Sequence, residues 1–379
     1  MAHAPCCAAL ACCPERWATC MGSIDVPHET TDHRPDVAGV TVLQSLSRIR
    51  ETTNPYLVQL LASLPGDVRI ELFSWRRALL GRYDVLHVHW PEVIFRRSTR
   101  WKTIAARSLY ALLLARLRLT RTALVRTAHN VEPYEGADRV EQRLIDATDR
   151  ATTWWVTLND FTPLPPGALS RMIPLGCPPE TYSARPASAP VPGRLVHFGL
   201  MRRYKGIEEL IAAFRTIADP AASLHLVGRC DDPGFREVIE REASKDDRVV
   251  ARLEHVSDAD LADEVADAEL VVLPYRAMHN SSALILALSM ARPVLVPSND
   301  VTRAIAAEVG QAWVQRYEGA LEPGALLAAL AAAREARTEP DPDLSRRRWS
   351  EIGLAHGKVY RAAASRRQAD GDGTRAVIR

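Results

Sequence analysis

Residues 194–214 read RLVHFGLMRRYKGIEELIAAF. Arg194–Phe198 is a short apolar run and predicts a strand. Gly199 ends it, a turn carries Arg202, Arg203 and Lys205, and Gly206 opens a helix predicted over 207–217. A strand, a tight turn and a helix form the repeating unit of a parallel α/β sheet. Three cations beside a helix N-terminus also make an anion site, because free backbone N–H groups and the helix dipole add to the side-chain charges. A diphosphate fits that physics; a solvated basic turn is the competing reading.

The same unit recurs on both sides. Downstream, strands are predicted at 223–227, 249–253, 269–273 and 293–296, with helices at 235–243, 258–266 and 282–291. Upstream, strands are predicted at 39–46, 68–73, 84–90, 122–128 and 151–158, with helices at 55–64, 101–119 and 140–147. The fold class is therefore α/β, with two doubly wound domains. Ser183–Gly193, SARPASAPVPG, has no periodicity and marks the boundary. The expected layout is a disordered leader over 1–35, an N-terminal domain over 36–183, a linker over 184–193 and a C-terminal domain over 194–342. A helix over 343–365 and a disordered tail over 366–379 follow. Ligands of such sheets bind at the C-terminal strand edges, in the cleft between the domains.

Composition narrows the function. The 379 residues carry 48 Lys plus Arg and 46 Asp plus Glu, a net charge of +2, so no global excess of positive charge points to nucleic acid. The longest apolar run, Leu109–Ala115, is far shorter than the roughly 20 residues a membrane span needs. Cys6, Cys7, Cys12, Cys13 and Cys20 crowd the N-terminus, with Cys177 and Cys230 alone in the body, which is no secreted disulfide framework. No His or acid lies among those five at zinc-like spacing, so no metal site is expected. The expected location is the cytoplasm, with peripheral contact to the inner face of the cell membrane.

Four further segments carry chemistry. Asn280-Ser281-Ser282 precedes a predicted helix; a serine there caps it and leaves N–H groups for phosphate oxygens, or is a plain cap. DVLHVHWPE, Asp84–Glu92, places His89 and Glu92 at a strand's C-terminal end. HNVEPYEG, His129–Gly136, places His129, Glu132 and Glu135 on the same rim. These five are candidate general bases for an acceptor hydroxyl. Phe95–Arg126 holds nine Arg or Lys (96, 97, 100, 102, 107, 116, 118, 121, 126) and no acid, interleaved with Trp101, Ile104, Leu109, Leu112, Leu113 and Leu117. Such a helix suits an anionic membrane surface, or is simply amphipathic with a basic outer face.

GLMRRYKGIEELIAAF (199–214) resembles the segment that opens the donor domain of glycosyltransferase family 4 and its relatives. Gly199, Lys205 and Gly206 match, whereas Leu200 stands at the family arginine, so the phosphate role passes to Arg202 or Arg203. LHLVGRC (224–230) resembles the next donor strand with its glycine, Gly228. Residues 268–298, AELVVLPYRAMHNSSALILALSMARPVLVPS, resemble the signature segment. DVLHVHW (84–90) and TAHN (127–130) resemble two N-terminal motifs, the latter aligning His129 with the histidine that approaches the donor sugar. The resemblance implies a GT-B fold and a nucleotide-diphosphate sugar held by Gly199, Arg202, Arg203, Lys205, Gly228, Asn280, Ser281 and Ser282. The paired glutamates of retaining members fall on Met278 and Leu286, and TTNPY (52–56) replaces the glycine-rich turn after the first strand. In both respects the chain is more similar to bacterial β-mannosyltransferases of glycolipids and exopolysaccharides, which use GDP-mannose and invert. The expected function is thus metal-independent hexose transfer, with no cofactor, to a saccharide or lipid-linked acceptor. The alternatives are a sugar-nucleotide epimerase of the same fold and a non-catalytic sugar-nucleotide-binding protein.

Overall fold

A computed structural model describes residues 39–50, 53–129, 137–178, 182 and 189–376, the last ten of these by backbone alone. The leader expected over 1–35 lies outside the described residues, as do Ser183–Ser188. From Gly39 onward the chain forms one unit that contains both sheets.

In the first sheet β1 (Val40–Gln44), β2 (Val68–Leu72), β3 (Val85–Val88), β4 (Ala123–Ala128), β5 (Trp154–Thr157) and β6 (Ser170–Met172) run parallel in the order β2-β1-β3-β4-β5-β6. Its helices are α1 (Pro55–Ser63), α2 (Trp75–Leu80), α3 (Pro91–Phe95), α4 (Arg100–Leu119) and α5 (Arg139–Ala151). Successive strand residues face opposite sides, so each strand feeds two cores. Val42, Val85, Val125 and Val156 pack on one face with Leu60, while Leu43, Leu86 and Leu124 pack on the other with Phe95, Tyr110 and Leu113. Burying each such side chain contributes about 1.5–3 kcal/mol.

The second sheet comprises β7 (Arg194–Phe198), β8 (Ser223–Val227), β9 (Val249–Arg252), β10 (Leu270–Val272), β11 (Val294–Pro297) and β12 (Val314–Tyr317), parallel in the order β12-β11-β10-β7-β8-β9. Its helices are α6 (Ile207–Arg215), α7 (Pro233–Ala243), α8 (Asp258–Asp267), α9 (Ser282–Ser289), α10 (Asp300–Val309) and α11 (Pro323–Ala336). Strand order reverses between β1 and β3 in the first sheet and between β7 and β10 in the second. Crevices open at such switch points.

The C-terminal helix differs from the 343–365 expected. A single 3-10 turn, Ser345–Arg347, precedes α12 (Trp349–Ala376), so the helix enters the segment expected as a disordered tail. Arg366, Arg367, Gln368 and Ala369 are good helix formers and carry it on; residues 377–379 lie outside the described residues. The helix also returns to the first half, where Ile352, Val359, Tyr360 and Ala363 complete the α1 face of the first core.

Candidate functional site

The loop after β7 crosses the second sheet's switch point. Arg203–Lys205 make one 3-10 turn, and Gly206 then adopts φ 69° before α6 begins at Ile207, the expected start. Only glycine fits there, because a Cβ would lie 2.2 Å from the Pro274 carbonyl oxygen. The turn drives Lys205 inward until 7% of it stays exposed. Its Nζ lies 5.0 Å from the centre of the Tyr275 ring. Burial, then the nearby Arg202 charge, lowers its pKa to about 8. Gly228, with φ 137°, lets the β8 loop press on Gly199: a Cβ would come 2.3 Å from the Gly199 carbonyl oxygen.

The other two cations turn elsewhere. Arg202 stays exposed, 3.9 Å from Asp231, and Arg203 lies 3.5 Å from Asp232 with its guanidinium over the Phe235 ring. The loop after β10 comes to meet Lys205. Ser281 caps α9 by accepting from the Leu284 N–H at 3.2 Å. The first N–H groups of α9 therefore open into the same cavity as Lys205, a space of about 400 Å³ that Gly199, Tyr204, Tyr275, Ser281 and Ser282 also line. Tyr56 and Trp349 close it from the first half. Among the described residues lining it, Lys205 is the one charged side chain.

The first half places four histidines at the ends of β3 and β4 and on α12. His87 bonds Tyr360 Oη and Thr127 Oγ1, each at 2.8 Å, and His89 Nδ1 meets His129 Nε2 at 3.0 Å. His356 Nδ1 donates to the Ile352 carbonyl oxygen at 2.9 Å. Desolvation holds all four below the usual histidine range, to about 3 for His129 and about 4 for His356, so they are neutral near pH 7. The His89–His129 pair sits behind Tyr56, whose ring makes edge contacts with both, and Trp90 stacks on His129 at 4.2 Å. It is thus one side chain back from the cavity. Asn280 spans the two halves: its amide donates to the His129 carbonyl oxygen at 2.8 Å and accepts from Asn159 at 2.9 Å. Asn280 is therefore engaged by protein, although it lines the cavity.

Glu92 lies half-buried in the first turn of α3 and acts electrostatically on Arg126 and Tyr110. Glu132 and Glu135 lie outside the described residues. Met278 is buried in the core, whereas Leu286 lines the cavity. Sequence reasoning did not name Tyr56, Tyr204 or Tyr275 as site residues. Tyr56 and Tyr275 stand in the TTNPY and LPYRAMH stretches, one residue past each proline, and that was their only signal.

Two doubly wound sheets facing a shared cleft, with a cation and a helix N-terminus converging at the second sheet's switch point, define the class: a glycosyltransferase of the GT-B fold. The family model "Glycosyl transferases group 1" matches residues 192–333. A "GDP-mannose:glycolipid 4-beta-D-mannosyltransferase" of Xanthomonas campestris pv. campestris is 43% identical over 333 residues, 88% of this chain and 94% of the relative. HepE of Anabaena, solved with UDP, superposes with a TM-score of 0.57 at 12% identity, covering 89% of this chain and 100% of its own. WaaG, a glycosyltransferase of lipopolysaccharide biosynthesis, gives 0.55 at 13%, covering 85% and 99%. The chain belongs to the family of the Xanthomonas enzyme and is a hexosyl-transferring glycosyltransferase.

Proposed function

We propose that the chain transfers mannose from GDP-mannose to a lipid-linked saccharide, with inversion at the anomeric carbon and without a metal ion. The observation that carries this reading is the buried Lys205 beside the α9 N-terminus, a preformed site for the leaving diphosphate. The relative's substrates, at 43% identity over most of both chains, supply the choice of donor and acceptor. In the reaction the acceptor hydroxyl oxygen forms a bond to the anomeric carbon as that carbon's bond to the diphosphate breaks. GDP leaves with the electron pair, Lys205 and the α9 N–H groups stabilise the growing charge, and a base takes the hydroxyl proton. The candidate bases are His89, Glu92, His129, Glu132 and Glu135. The two histidines are neutral at pH 7, but the burial that holds them well below the usual histidine range makes them weak bases, and they lie behind Tyr56 rather than on the cavity.

Peripheral contact with an anionic bilayer belongs to the same reading. Trp101, Ile104, Leu112 and Leu119 are all exposed, and at 100° per residue they share one stripe of α4. Arg100 and Arg118 flank it on one side and Lys102 on the other. Four of the nine cations of 95–126 turn inward instead. Arg96 and Arg107 pair with Glu141, Arg126 pairs with Asp149, and Arg116 reaches the Gly81 carbonyl. Among the described residues no helix is long and apolar enough to cross a membrane.

Thermal unfolding in EDTA with GDP, UDP, ADP, TDP and CDP tests the donor. A ligand at a hundred times its Kd adds about 2.7 kcal/mol, a shift of several degrees. A shift with GDP alone is expected; a shift with UDP alone, or one that needs added Mg²⁺, would overturn the reading. Co-sedimentation with anionic and neutral vesicles tests the surface, and equal binding to both would remove it.

A further inference from the structure

The two most exposed large apolar side chains among the described residues are Leu119, 86% exposed, and Leu80, 80% exposed. They close two different helices, α4 and α2, and one arginine joins those ends. Arg116 of α4 donates to the Gly81 carbonyl oxygen, just past α2, and to Tyr83 Oη at 2.7 Å. Tyr83 in turn donates to the Ala78 carbonyl oxygen at 2.7 Å, in the last turn of α2. Arg116 lies about 40° round α4 from Leu112 and about 60° from Leu119, at 100° per residue. The end of α2 is therefore held against the edge of the exposed apolar stripe of α4, not on its buried face.

A single exposed leucine is ordinary. Here two stand at joined helix ends, and the chain around them is basic. Residues 74–82, SWRRALLGR, and 116–122, RLRLTRT, hold no acid, and Arg76, Arg82, Arg118 and Arg121 are exposed. Apolar tips ringed by guanidinium groups suit a bilayer interface: the leucines enter the acyl boundary and the cations stay with the lipid phosphates. We propose that the end of α2, Leu80 with Arg76 and Arg82, is a second contact with an anionic bilayer, set beside α4. The inference rests on the peripheral-contact reading above and adds what α4 alone does not provide. A stripe along a helix about 30 Å long is a line, and the molecule can roll about it. α2 shares a core with α4 and stands off that line by the spacing of packed helices, about 8–10 Å. A contact there fixes the roll, and with it the height of the cleft over the lipid surface.

Co-sedimentation of the full chain with vesicles of phosphatidylglycerol and phosphatidylcholine, and of phosphatidylcholine alone, tests it. Leu80→Glu should weaken binding to the anionic vesicles about tenfold or more, and Arg76→Ala and Arg82→Ala about fivefold each. Leu80 is exposed, so its variant should keep the wild-type Tm within about two degrees. Leu112→Glu should weaken binding through α4. Leu327→Glu, the same change at an exposed leucine of α11, should leave binding within about twofold. If Leu112→Glu impairs binding and Leu80→Glu does not, α4 alone meets the bilayer and this inference is overturned. Equal losses in Leu80→Glu and Leu327→Glu would overturn it too, since net charge would then explain both. A wild type with no preference for anionic vesicles would overturn the peripheral-contact reading itself, and this inference with it.

Discussion

Replacing Lys205 by methionine should stabilise the empty protein and disable it at once. Methionine keeps an unbranched apolar stem in the same place and removes the charge. Lys205 as a whole is 7% exposed, and its pKa falls from 10.5 to about 8. A shift of that size amounts to about 3 kcal/mol against the folded state at pH 7. The cation–π contact with Tyr275 offsets about 1 kcal/mol of it. Lys205→Met should therefore gain about 2 kcal/mol, a rise of several degrees in Tm. Between pH 8 and 10.5 the unfolded lysine holds a proton that the folded one has lost, so wild-type stability rises with pH across that window. The advantage of the variant should be full below pH 8 and gone near pH 10.5.

Function should move the other way. GDP at a hundred times its wild-type Kd should add about 2.7 kcal/mol to wild type and nothing comparable to the variant. Turnover should fall by about two to three orders of magnitude. Urea unfolding at pH 7 and pH 10, with and without GDP, reads every arm. A variant less stable than wild type at pH 7 that still responds to GDP would refute the reasoning, since Lys205 would then be structural.

Three further outcomes are expected. Gly206→Ala should cost about 2–4 kcal/mol in urea unfolding, because its Cβ would collide with the Pro274 carbonyl oxygen at φ 69°; a loss under 0.5 kcal/mol would mean the turn relaxes freely. Acid should destabilise the fold well above the carboxylate range. His129 and His197 are held at about 3 and His356 at about 4. Below pH 6.5 the unfolded chain therefore binds protons that the folded chain refuses, at a cost of about 2 kcal/mol per histidine by pH 5; an unchanged urea midpoint between pH 7.5 and pH 5 would contradict this. Arg203→Ala should weaken GDP binding less than tenfold, because Arg203 already lies on Phe235 and Asp232, and a hundredfold loss by titration would show that it swings into the site.

Strand and helix positions were largely legible because their periodicity is local. Val40–Gln44, Arg194–Phe198 and Ser223–Val227 are apolar runs cut off by turn residues. Of what escaped, α10, β12 and α11 carry local patterns that the reading of the sequence passed over, whereas β6 and the start of α12 were set by distant packing. β6 is three residues long at a sheet edge, too short to carry a pattern. The start of α12 at Trp349 depends on docking against the first half, where its indole donates to the Cys177 carbonyl oxygen at 2.7 Å. The site was legible as a set of loops. The sequence gives three cations in the turn after β7 equal standing, and only the 3-10 turn decides that Lys205 alone points inward.

That decision follows from what each charge can reach. Arg203 finds an aromatic face and a carboxylate on the neighbouring loop, and its surface ion pair is worth little, about 0–1 kcal/mol. Lys205 is offered no carboxylate among the described residues that line its cavity, yet it is the more deeply buried of the two. Such an arrangement lowers stability, and it is the pattern expected where a bound anion would supply the missing charge. The neutral His89–His129 pair stands in the same relation to the first half, since His89 Nε2 is buried with no hydrogen-bond partner. Both dissatisfied groups sit at C-terminal strand edges, joined by the Asn280 amide that holds His129. The α9 cap, Ser281, directly follows Asn280, so an anion arriving at that N-terminus would meet Lys205 in the same cavity as the strap to the histidine pair.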